Sequence, residues 1–295
     1  MTVTTFPAVT SAPPGSAVTD AFARLAEAYG GLRVIERTAD EPLPRGAGWV
    51  GADELAAGGP ALDAYLAWDD AQVLRDYGTQ ARPDVIAGFG LHRYAWPACL
   101  LITLPWFLHR RVPRLPVTEV AFHRTLGRLS VRIGEFACLP DDPAAALPGA
   151  RVVPGEEALR DEVRAAVAQH LGPLLEGFGP RMRRGRRALW GMVTDEVVES
   201  LWYIGNLLGE EQRAMAELEA LLPGSTAPYS PSYRWEGPPG GAGFRTLTGP
   251  AGEELPTRDR AGCCFFYTIR PEDTCVTCPR TCDADRIARL AATAA

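Results

Sequence analysis

The stretch EEALRDEVRAAVAQHLGPLLEGF, residues 156–178, decides the fold class of this chain. From Leu159 to Phe178 its apolar residues recur every three or four positions, as they do on one face of an amphipathic helix. The same character returns over residues 186–208 and again over about 210–222. The second half of the chain is therefore predicted to open with three consecutive helices.

The first half mixes helical and strand patterns. A helical spacing ends at the glycine pair after Tyr29, a short strand candidate follows at residues 32–36, and a second helix is predicted over residues 61–77. The apolar stretch at residues 95–108 is predicted to be a buried helix that Pro105 kinks or ends. Alternating residues on both sides of RTLGR predict a β-hairpin that turns near Gly127. We predict an α+β fold, with mixed helices and short antiparallel strands in the first half. The helical second half is expected to end in a small strand-loop-helix tail that carries the cysteines, with short strands predicted over FRTLT, residues 244–248, and CCFFYTI, residues 263–269.

Composition shifts along the chain suggest how it is divided. We assign residues 1–14 to a flexible tail, residues 15–150 to an N-terminal α+β lobe, and residues 151–295 to a mostly helical C-terminal lobe. Within that last lobe, residues 255–295 form the cysteine-bearing tail. A segment rich in Pro, Gly and Ser at residues 223–244 is predicted to be a loop, either a plain connector or a cover over a binding site.

Composition also excludes several classes of protein. With 295 residues, 46% of them hydrophobic, the chain can bury a core without help from a metal or disulfides. A net charge of -6 argues against a nucleic-acid partner. The N-terminus lacks the pattern of a secretory signal, and the longest apolar stretch, residues 95–108, is too short to span a bilayer and contains two prolines. We expect a soluble, cytoplasmic protein without membrane insertion.

Five of the seven cysteines lie in GCCFFYTIRPEDTCVTCPRTC, residues 262–282. In a reducing compartment such a cluster favours metal or redox chemistry over disulfides. Four thiolates suit either a tetrahedral Zn²⁺ or the two irons of a [2Fe-2S] cluster. Adjacent cysteines in an extended strand point to opposite faces, so Cys263 and Cys264 serve one centre only if the backbone bends or the acceptor is wider than one ion. The spacing alone leaves both metals open.

The arrangement C-C-x10-C-x2-C near the C-terminus resembles the signature of the FhuF-like ferric siderophore reductases, which are soluble [2Fe-2S] proteins. All four positions match, as Cys263, Cys264, Cys275 and Cys278. The resemblance implies that these four cysteines are the metal ligands and bind the [2Fe-2S] cluster. It also implies an iron-sulfur oxidoreductase that reduces an Fe(III)-siderophore, with the hydroxamate type favoured, by one electron and so releases Fe(II) in the cytoplasm.

The electrons are expected to come from a ferredoxin or another reductase. Neither GAGWVG nor GGAGF has the strand and helix context of a dinucleotide-binding fingerprint, so direct use of NAD(P)H is not expected. Two alternatives remain at this point. One is a [2Fe-2S] electron carrier or redox sensor without a siderophore substrate, and the other is a binding protein whose four cysteines hold structural zinc.

The remaining cysteines are assigned simpler roles. Cys282 lies outside the motif and is predicted to be a spare thiol at the start of the last helix, although exchange with a ligand is an alternative. Cys99 and Cys138 lie in apolar surroundings and are predicted to be core residues.

Several charged and aromatic residues are candidates for supporting roles. Near the motif, four arginines are candidates for easing reduction of the cluster: Arg270, Arg280, Arg286 and Arg289. The run RMRRGRRALW at residues 181–190 is predicted to be an exposed loop and helix start, or else a docking site for an acidic electron donor. The four histidines are scattered and are expected to be surface or structural residues, and Asp69 and Asp70 are expected on a solvated face. In the Pro- and Gly-rich loop, the candidate ligand contacts are Tyr229, Tyr233 and Trp235.

Overall fold

The computed structural model describes residues 15–223 and 241–294. The predicted tail 1–14 and the three aromatic residues Tyr229, Tyr233 and Trp235 lie outside this range. Within the range there are eight α-helices: α1 (Thr19–Ala28), α2 (Ala52–Ala57), α3 (Gly59–Tyr77), α4 (Pro83–His109), α5 (Glu156–Met182), α6 (Arg186–Leu207), α7 (Glu211–Leu221) and α8 (Asp283–Ala294).

The strands are short and lie in three small sheets. In chain order they are β1 (Arg33–Arg37), β2 (Trp49–Gly51), β3 (Val112–Arg114), β4 (Val120–His123), β5 (Arg128–Arg132), β6 (Glu135–Cys138), β7 (Ala150–Val152), β8 (Phe244–Thr248) and β9 (Glu254–Arg258). The sheets have the strand orders β1-β5-β4-β2, β3-β6-β7 and β8-β9. The α+β class and the helical second half are confirmed. Two strand pairs, β1 with β5 and β6 with β7, are parallel, whereas the other pairs are antiparallel as expected.

The predicted hairpin turn near Gly127 is present between β4 and β5. Gly127 has a left-handed backbone, with φ of 56°, and a Cβ built on it would lie 2.0 Å from the carbonyl oxygen of Gly31. Both the conformation and the close approach require glycine at this position. The turn therefore sets the parallel neighbour β1 tightly against the start of β5.

Helix α4 is the centre of the core and is longer than the apolar stretch at residues 95–108 suggested. It begins at Pro83, contains Pro97 and Pro105, and is buried over most of its length. Its apolar residues lie all round the axis, which is typical of a helix enclosed by other elements. The helix is long and apolar enough to cross a membrane, but 83% of its apolar window is buried inside the protein. It is enclosed by α1, α3, α5 and α6.

One apolar core joins the two halves of the chain. It includes Leu25 and Leu62 from the first half and Leu171 and Leu201 from the second. The proposed lobe boundary at residues 150/151 stays a prediction, since a shared core does not by itself define lobes. Cys99 and Cys138 are buried, as predicted for core residues.

A second, smaller apolar cluster attaches the cysteine segment to the body. Ile269 packs with Val85, Ile86 and Phe89 of α4, and the cluster also takes in the partly buried side chains of the cysteine segment, including Phe266. Burial of such side chains stabilises the attachment by about 1.5–3 kcal/mol for each one fully removed from water. The cysteine segment is thus fixed on the side of α3 and α4.

Candidate metal centre

The adjacent cysteines lie in a bend rather than in a strand. The prediction of a strand over CCFFYTI is wrong: β9 ends at Arg258, and a single 3-10 turn covers Phe266–Thr268. Phe265 has a left-handed backbone, with φ of 64°, directly after the cysteine pair. A run of aromatic and β-branched residues favours a strand by propensity, but packing of Phe265 and Phe266 onto the body overrides that preference. This is the sharp bend that adjacent ligands of one centre need.

The four motif thiols come together as two pairs. The thiol of Cys264 interacts with that of Cys275 and the thiol of Cys263 with that of Cys278, and these interactions shift the pKa values of Cys264 and Cys263. Electrostatic interactions of Cys263 with Cys264 and of Cys275 with Cys278 connect the two pairs. In residues 15–223 and 241–294, no three His, Cys, Asp or Glu side chains form a group suited to a single metal ion. Two thiol pairs side by side fit a [2Fe-2S] cluster, which takes four thiolates on two irons.

Cys275 and Cys278 lie in a tight turn. The N–H of Cys278 donates to the carbonyl of Cys275 at 3.0 Å, and the hydroxyl of Thr281 donates to the same carbonyl at 3.1 Å. The N–H of Arg280 lies 3.5 Å from the Cys278 sulfur. Two intervening residues therefore bring both sulfurs to the same side of the turn, as in other Cys-x-x-Cys metal sites. Cys282 is exposed at the start of α8, and its predicted role as a spare thiol stays a prediction.

The thiol of Cys264 is the one prepared to ionise. Interaction with the Cys275 thiol lowers the pKa of Cys264 despite burial, and Arg260 and His92 add to the effect. The same interaction, together with burial, raises the pKa of Cys275. Since the thiolate is the form that binds metals, the first ligand is available at neutral pH and later thiols lose their protons as metal binds.

A buried network of opposite charges holds the backbone directly before Cys263 and Cys264. Asp195 on α6 accepts hydrogen bonds from the N–H groups of Ala261 and Gly262, at 2.8 and 2.7 Å. Its side chain is completely buried and also accepts from the guanidinium of Arg258 at 2.8 Å. Arg260 lies within 4 Å of Asp195 and of two further acidic residues on α6. Burial raises the pKa of Asp195, although the arginines and the two N–H donors oppose that shift.

The network also contacts the turn that holds Cys275 and Cys278 and, through His92, interacts with Cys264. Glu199 on α6 accepts from the hydroxyl of Thr277, which lies between Cys275 and Cys278, at 3.1 Å. Glu196 pairs with Nδ1 of His92 at 2.5 Å, and this interaction raises the pKa of His92 even though burial opposes it. The site is thus assembled from α4, α6 and the cysteine segment together.

The four arginines that lie near the motif in sequence make different contacts in the structure. Arg286 is buried and donates to the carbonyl of Cys278, while Arg289 donates to the carbonyl of Thr274, so both hold the loop backbone. Arg280 lies over the ring of Tyr267 at 4.2 Å, and Arg270 lies near Tyr77 at the rim. Two arginines outside this group of four interact electrostatically with the thiols: Arg184, whose guanidinium donates to the carbonyl of Cys263 at 2.6 Å, and Arg260. The predicted effect of the four arginines on reduction of the cluster stays a prediction.

The chain's similarity to known proteins falls on this same segment. Residues 260–280 match the model of the FhuF 2Fe-2S C-terminal domain. The matched FhuF-type segment contains all four motif cysteines and leaves out Cys282. It identifies the cofactor as a [2Fe-2S] cluster, for which the paired thiols are suited. No curated protein matches the chain closely enough to count as a relative.

Sequence reasoning missed most of the residues around the FhuF-type segment. His92 was expected to be a surface or structural residue, yet it interacts electrostatically with Cys264. Asp69, expected on a solvated face, is completely buried between Arg93 and Arg124, so that expectation is wrong. A detectable signal was present in LWGMVTDEVVESLW, because three carboxylates within an otherwise apolar helix must find buried partners: Asp195, Glu196 and Glu199.

Proposed function

We propose that this protein is a ferric siderophore reductase that transfers one electron to an Fe(III) chelate and releases the iron as Fe(II). The observation that carries the proposal is the FhuF-type 2Fe-2S segment at residues 260–280, in which four thiols lie together in two pairs. When bound, the cluster supplies single electrons. Fe³⁺ is held tightly by the hard oxygens of a siderophore and Fe²⁺ only weakly, so one electron turns a stable complex into a labile one.

The chain's own residues prepare the site for this task. Cys263, Cys264, Cys275 and Cys278 would hold the cluster as thiolates. The first three are only half-buried, so the centre lies close to the protein surface. Arg184 and Arg260 place positive charge beside the thiols, which favours the more negative, reduced state of a thiolate-bound centre.

The electrons are proposed to come from an acidic donor such as a ferredoxin, in the cytoplasm. Arg184 belongs to the arginine run at residues 181–187, and it lies against the Cys263 backbone and over the ring of Phe265 at 4.1 Å. Its neighbours Arg183, Arg186 and Arg187 are exposed. This run presents positive charge next to the cluster ligands, which suits docking of a negatively charged partner. Electron delivery should therefore slow as salt is raised.

The decisive experiment measures electron transfer to a ferric chelate directly. Protein with its cluster is purified without oxygen, reduced with dithionite, freed of excess reductant and mixed with a ferric trihydroxamate. We expect the visible spectrum of the oxidised cluster to return while an Fe(II) indicator develops colour in equal amount. Reoxidation by a ferredoxin but by no ferric siderophore would favour the alternative of an electron carrier or redox sensor.

A further inference from the structure

A cavity with aromatic walls adjoins the cysteine site. Its volume is about 440 Å³, within the usual range for small-molecule sites. One wall consists of Tyr29, Trp96 and Tyr203, whose ring centroids lie 5.8–5.9 Å apart in edge-on contacts. The side chain of Tyr203 is 47% exposed, so the cavity opens to solvent. Three rings from α1, α4 and α6 therefore form a preformed apolar surface beside the entrance.

The other wall carries hydrogen-bond donors. The guanidinium of Arg124 lies over the ring of Trp68 at 4.3 Å, and its side chain is only 8% exposed. Two of its nitrogens bind Asp69 and the carbonyl of Tyr65, but its Nε has no hydrogen-bond partner among the described residues. A buried guanidinium N–H without a partner is costly, and an oxygen acceptor on a ligand would satisfy it. Arg93 lies at the same wall with 44% of its side chain exposed.

The floor of the cavity is part of the network that supports the thiols. His92 and Glu199 both line the cavity. His92 interacts electrostatically with Cys264, and Glu199 accepts a hydrogen bond from Thr277 between the other two ligands. A molecule in the cavity is thus separated from the cysteine site by single side chains.

We propose that this cavity is the binding site for the ferric chelate. The inference rests on the proposed reductase function. The rings of Tyr29, Trp96 and Tyr203 pack on the apolar backbone of the chelate, and Arg93 and Arg124 donate to its outer oxygens. The iron then lies next to the side chains that contact the cysteine ligands.

Gallium(III) separates binding from reduction, because it has the charge of Fe³⁺ but does not accept an electron under these conditions. The gallium(III) complex of a hexadentate trihydroxamate is titrated into the cluster-containing protein, and binding is followed by calorimetry and by quenching of Trp fluorescence. We expect saturable binding and a roughly tenfold loss of affinity in Tyr203→Ala.

Leu207→Ala is the matched control, since Leu207 lies on the same helix with 42% exposure and does not line the cavity. It should bind the gallium complex like the unmodified protein. If Tyr203→Ala and Arg93→Gln both bind the gallium complex normally, or if the unmodified protein does not bind it, the cavity is not the site. Reoxidation by the ferric complex tests the reductase function separately: normal reoxidation in both variants overturns only the site. Gallium binding that these variants weaken, without any reoxidation by the ferric complex, overturns only the function.

Discussion

Asp195 holds the backbone of Gly262, the residue directly before the cysteine pair, through a hydrogen bond of 2.7 Å. The same carboxylate accepts from Ala261 and pairs with the buried Arg258. One side chain of α6 therefore fixes both the direction in which the cysteine segment leaves β9 and the charge beneath it.

Replacing Asp195 with Ala should destabilise the protein and loosen the cluster. The change leaves the guanidinium of Arg258 without its buried partner and two backbone N–H groups without an acceptor, a loss of about 3–5 kcal/mol. Urea denaturation measures the stability, and iron content per chain measures the site. Glu219→Ala, on the exposed side of α7, is the control and should change stability by less than about 0.5 kcal/mol. Equal stability of the two variants would show that the buried network contributes little.

Cys275→Ser should abolish the visible spectrum of the cluster, whereas Cys282→Ser should preserve it. Cys275 interacts with Cys264 among the four motif thiols, while Cys282 is exposed outside the matched segment. Absorption spectra and iron analysis on protein purified without oxygen provide the measurement. Loss of the spectrum in Cys282→Ser would mean that the ligand set includes Cys282.

Arg184→Gln should lower the reduction potential of the cluster by roughly tens of millivolts. Removing one positive charge near the thiols disfavours the added electron, and a change of ~1 kcal/mol corresponds to about 40 mV for a one-electron couple. A spectroelectrochemical titration measures the potential. Arg187→Gln removes an exposed charge from the same arginine run and serves as the control. Identical potentials in both variants would indicate that solvent screens Arg184 as well.

His170 should make the protein less stable in mild acid. Burial lowers the pKa of His170 to about 4, and its Nδ1 donates to the carbonyl of Leu115 at 2.6 Å while Nε2 accepts from the hydroxyl of Tyr94. Above about pH 6.5 both the folded and unfolded forms are neutral, so the contribution is complete. As the pH falls from 6.5 to 4 only the unfolded chain takes up the proton, and the free energy of unfolding drops by about 1.4 kcal/mol per pH unit.

Urea midpoints at pH 7 and pH 5 test this prediction in the unmodified protein and in His170→Gln. The variant should be less stable at pH 7 but should lose less stability on going to pH 5. The same loss between the two pH values in both proteins would rule out His170 as the source.

The sequence predicted the helices where apolar residues recur with a clear period, and it failed where the apolar pattern is continuous. The period from Leu159 to Phe178 lies within α5. In α4 the buried residues lie all round the axis, so no period marked its start at Pro83 and only its later part was recognised. The predicted strand at residues 263–269 failed because side-chain packing, rather than propensity, sets the backbone there.

The cysteine motif could be found from sequence because its ligands are close together along the chain. The surrounding charges could not, because they join positions far apart: His92 on α4 meets Glu196 on α6, and Arg124 meets Asp69. Such pairs have no fixed spacing in sequence. The sequence indicated only that the carboxylates within apolar helices require buried partners.

Helix α4 sets the distance between the cysteine segment and the aromatic cavity. Ile86 and Phe89 pack under the cysteine segment, and Trp96, about two turns further on, lines the aromatic cavity. One residue inserted between Phe89 and Trp96 would turn the following part of the helix by about 100° and advance it by about 1.5 Å. The register of α4 is therefore under tighter constraint than the identity of most of its side chains, so insertions in this helix should be far less tolerated than substitutions.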